Sequence, residues 1–423
     1  MNEPYYVHPL EYLMDDEERW CLTGKDQVSG WVENEETLEE IRESCRWLAL
    51  TNEFAINGHE NRISFIVGSG HGFFVESRPG RDVSDRILQK TQDCLDEFIE
   101  ENQWYERQQE IVRRKDRDGE AFLRLFVDSE GKTSIRFVEP EEIQRPDGAP
   151  EEDANISNRL GIQTLANDVE HVLGYWVHGI WVPAEEIQHR KANVDFNVRR
   201  GLPIFFPVRK NLRRAEKLLR NMSVVAEIQS AIAIIRKHQG TSRLGIESFA
   251  SRNADGTFPT ANGKTLYRHY SPGTILDTSS GVDYEFPVAA VDASRYVTVL
   301  QAELRAIASR LVMPEFMLTS DASNANYAST MIAEGPAVRM FERLQHEMIR
   351  EDRRLLGKVL RHAVVAGRLE PEVLTDVRIQ ITPPGLSVHD RLKEVQADKL
   401  LVELGAMSPQ ELASRHGCKQ MNT

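Results

Sequence analysis

Twelve histidines, at positions 8, 59, 71, 171, 178, 189, 238, 269, 346, 362, 389 and 416, are the residues best suited to hold a metal or move a proton near neutral pH. Their spacing supports neither role. His346-Glu347 has Arg350 where an HExxH zinc pair needs its second histidine. Cys21, Cys45, Cys94 and Cys418 form no CxxC pair, so they read as buried free thiols rather than a zinc site. No GxSxG elbow offers a serine nucleophile. Gly68-Ser69-Gly70-His71-Gly72 would cradle a phosphate only if it opened a helix, but Phe73-Phe74-Val75-Glu76 reads as a strand, so the glycines read as a β-turn. Carboxylates are abundant without a spacing that makes a nuclease of them. The expectation is no catalysis, no metal and no cofactor.

Two polar clusters remain. The first is basic: Arg199, Arg200, Arg209, Lys210, Arg213, Arg214, Lys217 and Arg220 stand against Glu216 alone. It could meet phosphate, or an acidic neighbouring subunit. The second is the Asn- and Ser-rich stretch Thr319–Ser329, with Thr319, Ser320, Ser323, Asn324, Asn326 and Tyr327. Against both stands a formal net charge of −14, which argues against a tight, non-specific nucleic-acid binder but not against a wall past which a polyanion slides.

The elements that must carry these clusters follow from periodicity. At 423 residues the chain suggests two to four structural units. No apolar run is long enough to span a membrane, and the polar, acidic start Met1–Asp16 lacks a signal-peptide pattern, so cytoplasmic folding is expected. Leu38, Ile41, Cys45 and Leu48 predict a helix over 36–50. Asn57-Gly58-His59-Glu60 reads as a turn and Ile63–Val67 as a short strand. A single helix is expected over 82–116, a hairpin over 121–127 and 133–138, an exposed loop over 146–159, and a strand at Gly174–His178. Up to about residue 200 the chain reads as α+β.

From Asn211 to Ile235 apolar residues recur every three or four positions, predicting one long helix stopped by Gly240. Residues 241–292 read as a small β-rich module. A third helix runs from Asp292 to Leu311, with Pro314 beyond its end. A fourth runs from Thr330 to Ala366, bent near Gly335-Pro336. A strand at Ile379–Thr382, a helix over 389–404 and a last small helix capped by Ser408 complete the pattern. Long helices flanking a small β module do not fold easily onto one core, whereas a ring of subunits can bury them against neighbours.

Several motifs in this order resemble the lambda-type portal proteins of tailed phages. They are Asp118-Gly119-Glu120-Ala121-Phe122; Gly174-Tyr175-Trp176; Pro183-Ala184-Glu185-Glu186-Ile187-Gln188-His189; Arg200-Gly201-Leu202-Pro203; and the block from Ala306 through Pro314, Leu318-Thr319-Ser320-Asp321 and Asn326-Tyr327-Ala328-Ser329. The chain departs where the family usually has a glycine before the proline, here Val312-Met313, and in Thr330-Met331 where an arginine is usual.

The resemblance implies a portal-protein fold: an α/β wing, a long helical stem, a small β-rich clip and a helical crown, in a ring-forming subunit. The boundaries it implies are 1–205 wing, 206–239 stem helix 1, 240–291 clip, 292–318 stem helix 2, 319–329 tunnel loop, 330–368 long wing helix and 369–423 reduced crown. It further implies a DNA channel of about twelve subunits at one capsid vertex. The implied partners are other copies of the chain, double-stranded DNA, the terminase large subunit, a head-tail adaptor, and the major capsid and scaffolding proteins, with no membrane. Thr319, Ser320, Ser323, Asn324, Asn326 and Tyr327 would then face DNA, the hydroxyls and amides donating to phosphate without fixed charge. Lys210, Arg213, Arg214 and Lys217 would touch DNA or a neighbouring subunit. The other reading is a helical adaptor or scaffold with no DNA role, and closed cyclic assembly around a hole separates the two.

Overall fold

Leu38, Arg42, Cys45 and Leu48 give helix α1, Glu35–Thr51, one buried face. In this computed structural model the described residues are 35–146, 148, 155–166, 168–238, 274–279, 293–321, 327–386 and 391–405. Asn52 interrupts the helix and restarts it, because its side chain accepts from the Ala55 amide as the N-cap of α2, Glu53–Ile66. The turn expected at Asn57–Glu60 and the strand expected at Ile63–Val67 are therefore both wrong. Gly58 serves packing instead. A Cβ there would lie 2.5 Å from Leu311 Cδ1 and 3.1 Å from Leu318 Cδ1, so the glycine admits a close helix approach.

Strand β1, Gly72–Ser77, follows the glycine turn as expected and pairs antiparallel with Val377–Thr382, far along the chain. Two helices, α3 (Asp85–Glu101) and α4 (Trp104–Asp118), stand where the periodicity suggested one. Asn102 makes the break: its amide donates to Phe98 O and Thr133 O and accepts from Ile135 N, while Gln103 takes φ 48°. Strands β2 (Glu120–Val127) and β3 (Thr133–Val138) form the expected hairpin. A meander follows, with β4 (Ile156–Arg159), β5 (Ile162–Leu165), β6 (Asp168–Val177) and β7 (Ile180–Pro183) as neighbours in that order. The loop expected over 146–159 thus already becomes strand at Ile156. Strand β8, Ile187–Lys191, returns to β2 and closes a β3-β2-β8 sheet.

The helix after the basic run, α5, spans Arg209–Ala231 and stops short of Ile235. The β-branched run that follows prefers extended backbone: β9, Ile232–His238, pairs in parallel with β10, Thr274–Ser279. Then come α6 (Ala293–Leu311), the short α7 (Glu315–Thr319), and α8 (Tyr327–Val365), which carries Pro336 in its interior. The short α9 (Val373–Asp376), β11 (Val377–Thr382) and α10 (Arg391–Glu403) end the described chain. The first 34 residues, most of the module expected over 241–292, and the small helix expected at Ser408 lie outside the described residues.

Buried apolar residues sort into three clusters rather than one. The largest joins α2, α3, α4 and α8 to β11. A second joins α1 and α2 to α5, α6 and α7 through Leu48, Phe205, Leu212, Ile307, Leu311 and Leu318. The third lies between the two larger sheets, around Phe122, Tyr175 and Ile187. Cys45 and Cys94 are buried free thiols.

Candidate functional site

Four of the motifs picked out in the sequence meet at one buried carboxylate. Glu120, with no exposed surface, opens β2 directly after Gly119. Arg42 from α1 donates to it at 2.7 Å, Arg200 at 2.8 Å, His189 of β8 at 2.8 Å and the Gly201 amide at 3.0 Å. Two positions here require glycine because backbone meets backbone. Gly119 holds φ +85° with a would-be Cβ 2.4 Å from the Leu202 carbonyl carbon, and a Cβ on Gly201 would fall 1.9 Å from Gly119 O. Phe122 stacks on His189 with centroids 4.1 Å apart, and Tyr175 meets both rings edge-on. Gly174 leaves room for the Trp181 ring, 2.6 Å from where its Cβ would be.

Burial alone would raise the Glu120 carboxyl, but Arg200 and Arg42, then His189, outweigh it and hold the group far below the usual carboxylate range. Burial pushes His189 down, so the neutral ring donates its Nε2 hydrogen to Glu120. A second buried carboxylate lies close by. Asp116 takes two bonds from Arg62, at 2.8 and 3.0 Å, with His59 Nδ1 3.5 Å away. Burial opposes its ionisation, yet Arg62 and His59 bring it down to about 2. Next to these, Arg46 binds Asp118 at 2.6 Å. The cluster locks α1, α2 and the α4–β2 junction to the segment that leads into α5.

A second arrangement fixes the polar stretch. Asn57 and Asn61 on α2 donate to the carbonyls of α7, Asn57 to Leu318 O at 2.7 Å and Met317 O at 3.1 Å, Asn61 to Met317 O at 2.8 Å. These carbonyls would otherwise be orphaned at the end of a helix too short to satisfy them. Arg305 of α6 reaches Glu315 at 2.6 Å. Thr319 is the last residue of α7 and donates to Glu315 O at 3.0 Å, while exposed Ser320 takes φ 57°. The polar stretch thus leaves a clamped base, and the chain re-enters helix at Tyr327. Ser323, Asn324 and Asn326 lie outside the described residues, and of Tyr327 only the backbone is described.

The sequence profile of the phage portal protein, lambda family, matches residues 26–345, well over half of the chain. The chain belongs to that family. No curated protein sequence matches it. The solved structures similar to it include a HK97-family phage portal protein from Corynebacterium diphtheriae, with 12% identity, TM-score 0.35, and 79% of this chain and 94% of that chain covered. The virion of a native gene transfer agent particle matches with 14% identity, TM-score 0.46, and coverage of 92% and 96%. The neck of that particle, computed with C12 symmetry, matches with 15% identity, TM-score 0.39, and coverage of 89% and 93%.

In this portal protein the basic stretch divides between inward and outward side chains. Lys210 is buried, and half-buried Arg214 lies 3.9 Å from Glu303 of α6. Arg213 is exposed and donates to Ser44 of α1 at 3.0 Å, and Lys217 is exposed. Arg199 and Arg200, read as part of the same run, belong to the sheets: Arg199 donates to Ser157 and Thr164, Arg200 to Glu120.

Sequence reading missed Arg42, Arg62, Asn57 and Asn61. The signal for the two arginines was there, since both fall on the apolar faces of their helices. It missed also the buried pair Arg190–Asp352, at 2.7 Å, which ties β8 to α8. Among the described residues no three His, Cys, Asp or Glu side chains gather in a way that could hold a metal, and no helix is long and apolar enough to cross a membrane.

Proposed function

We propose that the chain acts as one subunit of a closed ring of about twelve copies at a capsid vertex, through which double-stranded DNA enters and leaves the head. The observation that carries this reading is the family match over residues 26–345. The clamped base of the polar stretch supports it. A loop anchored at Asn57, Asn61 and Arg305 can present hydroxyls and amides to passing phosphates without itself being dragged, and uncharged donors bind weakly enough to let DNA slide.

In this reading residues 1–205 form the wing and 206–239 the first stem helix, whose helical part ends at Ala231. Residues 240–291 form the clip that docks the terminase large subunit and later a head-tail adaptor. Residues 292–318 give the second stem helix, 319–329 the tunnel loop, 330–368 the wing helix and 369–423 a reduced crown. Arg213 and Lys217, the outward members of the basic stretch, touch DNA or the next subunit. The chain performs no chemistry of its own and needs no cofactor; a separate ATPase drives DNA.

Electron microscopy of the purified chain tests this directly. Class averages with about twelvefold symmetry around an open hole support the portal ring. Monodisperse monomers that stay monomeric with capsid and scaffolding proteins present would overturn it, in favour of a helical adaptor.

A further inference from the structure

Helix α8 is two-faced. Its inner face carries Phe341, Met348, Leu355 and Val359 in the largest apolar cluster. Its outer face is a stripe of arginines, Arg339, Arg343, Arg350, Arg353, Arg354 and Arg361, all exposed, spread over about 33 Å of helix. Arg339 lies 3.8 Å from Glu342 and Arg343 contacts Met340 Sδ. Among the described residues the other four make no ion pair. In a chain of net charge −14 this is an unusual concentration of one sign. A basic residue gains from the helix dipole only in the last turn, which accounts for none of the first five.

Helix α1 is built the opposite way. Its outer face reads Glu36, Glu39, Glu40 and Glu43, then Trp47 and Leu50, which are 65% and 72% exposed. Apart from one adjacent pair in each, the residues of both stripes are spaced by threes, fours and sevens, so each stripe keeps to one side of its helix. They also lie on different sides of the subunit, because α2 and α4 stand between the two helices. Arg46 of α1 reaches Asp118 at the end of α4 and Arg42 reaches Glu120 just beyond it in β2, whereas Lys115 of α4 reaches Glu347 on α8 at 2.6 Å.

We infer that the arginine stripe of α8 docks on the acidic, Trp47-tipped face of α1 in a second copy of this chain, and that this contact closes the ring. The inference rests on the ring reading above and adds which surfaces meet. A head-to-tail ring needs two different, complementary faces on separate sides of one subunit, and this pair supplies them. Arginine suits the role because its planar fork binds carboxylates in pairs and lies flat on indole. Gly357, set between Arg354 and Arg361 with nothing within 4 Å of a would-be Cβ, leaves a gap in the stripe for the Trp47 ring.

The test is a charge exchange read by electron microscopy and analytical ultracentrifugation. One variant carries Arg343→Glu, Arg350→Glu and Arg354→Glu; the other carries Glu36→Lys, Glu40→Lys and Glu43→Lys. Every altered side chain is exposed, and circular dichroism checks that helix content is kept, with Gln versions replacing any variant that loses it. Each variant alone should lose at least about tenfold of its ring fraction, because like charges then face each other. The equimolar mixture should recover rings, since subunits can alternate around an even ring, and so should one chain bearing both sets. Normal rings from either variant alone would overturn the inference and leave the portal ring standing. Loss without recovery in the mixture or the combined chain would overturn it too, pointing the stripes at DNA or another protein. If the wild type makes no rings even with capsid and scaffolding proteins present, the ring reading itself fails.

Discussion

Replacing Glu120 by glutamine keeps the shape of the side chain and removes its charge. Arg42 and Arg200, each about 3% exposed, would then share a buried site with no anion between them. One carbonyl oxygen would then have to serve two sets of donors, Arg42 and Arg200, which share Oε1, and His189 and the Gly201 amide, which share Oε2. Breaking a buried, hydrogen-bonded ion pair on one side costs about 3–5 kcal/mol, most of it the penalty of the stranded partner. Here two guanidiniums lose their anion, Arg42 keeping only Glu141 at 3.9 Å and Arg200 only backbone carbonyls, so the upper part of that range applies. Against a total stability of roughly 5–15 kcal/mol the loss is large, and on a chain of this size it lowers the melting temperature by about 5 °C. Urea titration of unassembled subunits, followed by far-UV circular dichroism, measures it. The three clusters need not unfold together, so the first transition is the one to compare. Glu342→Gln, which touches only the exposed Arg339, serves as control and should change stability by less than about 0.5 kcal/mol. If Glu120→Gln moves the first transition by less than about 1 kcal/mol at pH 7, the ion cluster does not hold α1 and β2 to the segment that leads into α5, and the reasoning is refuted.

Three further outcomes follow from the same geometry. Asp116 has its carboxyl lowered from 3.8 to about 2, so it contributes stability that is fully present above about pH 4 and lost as pH falls through about 2. The loss is about 2 kcal/mol, and Asp116→Asn, compared with the wild type by urea titration between pH 5 and 2, should flatten that limb. Asn57→Ala removes two bonds to the α7 carbonyls at a cost of about 1–2 kcal/mol, and the effect should appear as faster proteolysis near Ser320. Val312, a β-branched residue at φ 54°, pays the left-handed penalty, so Val312→Asn should gain about 1 kcal/mol, read as a higher midpoint in urea titration.

Much of this fold could be read from local patterns, and the failures have physical causes. Helices α1, α6 and α8 and the β2–β3 hairpin are placed by periodicity because their buried faces are continuous. The region around Asn57-Gly58 misled because turn chemistry and close helix packing use the same residues. Only the distant Leu311 and Leu318 side chains decide that Gly58 sits inside a helix. The break at Asn102 has the same character, since its three bonds reach to Phe98, Thr133 and Ile135, two of them on another element. The early end of α5 was legible in principle, because Ile232-Ala233-Ile234-Ile235 fits a strand as well as a helix face, and its partner β10 lies some forty residues on.

Four of the motifs on which the resemblance rests pack inside the subunit, around Glu120. Asp118-Gly119-Glu120, Gly174-Tyr175, His189 and Arg200-Gly201 are positions where backbone crosses backbone, or where a charge is buried among partners from three elements. Such positions tolerate few residue types, so they stay recognisable in sequence. On the reading proposed above, a loop past which DNA slides needs only small polar side chains, and many combinations of Ser, Thr and Asn supply them equally well. Val312 illustrates the boundary between the two kinds of constraint. Its left-handed backbone suits the glycine that the family usually places there, yet the chain keeps that conformation with valine because Leu311 and Met313 on either side are buried. The geometry at the base of the loop is therefore set by the packing around it rather than by the residue at the bend. For that reason Asn57, Asn61 and Gly58, on a helix more than 250 residues away in sequence, fix the α7 end from which the polar stretch departs.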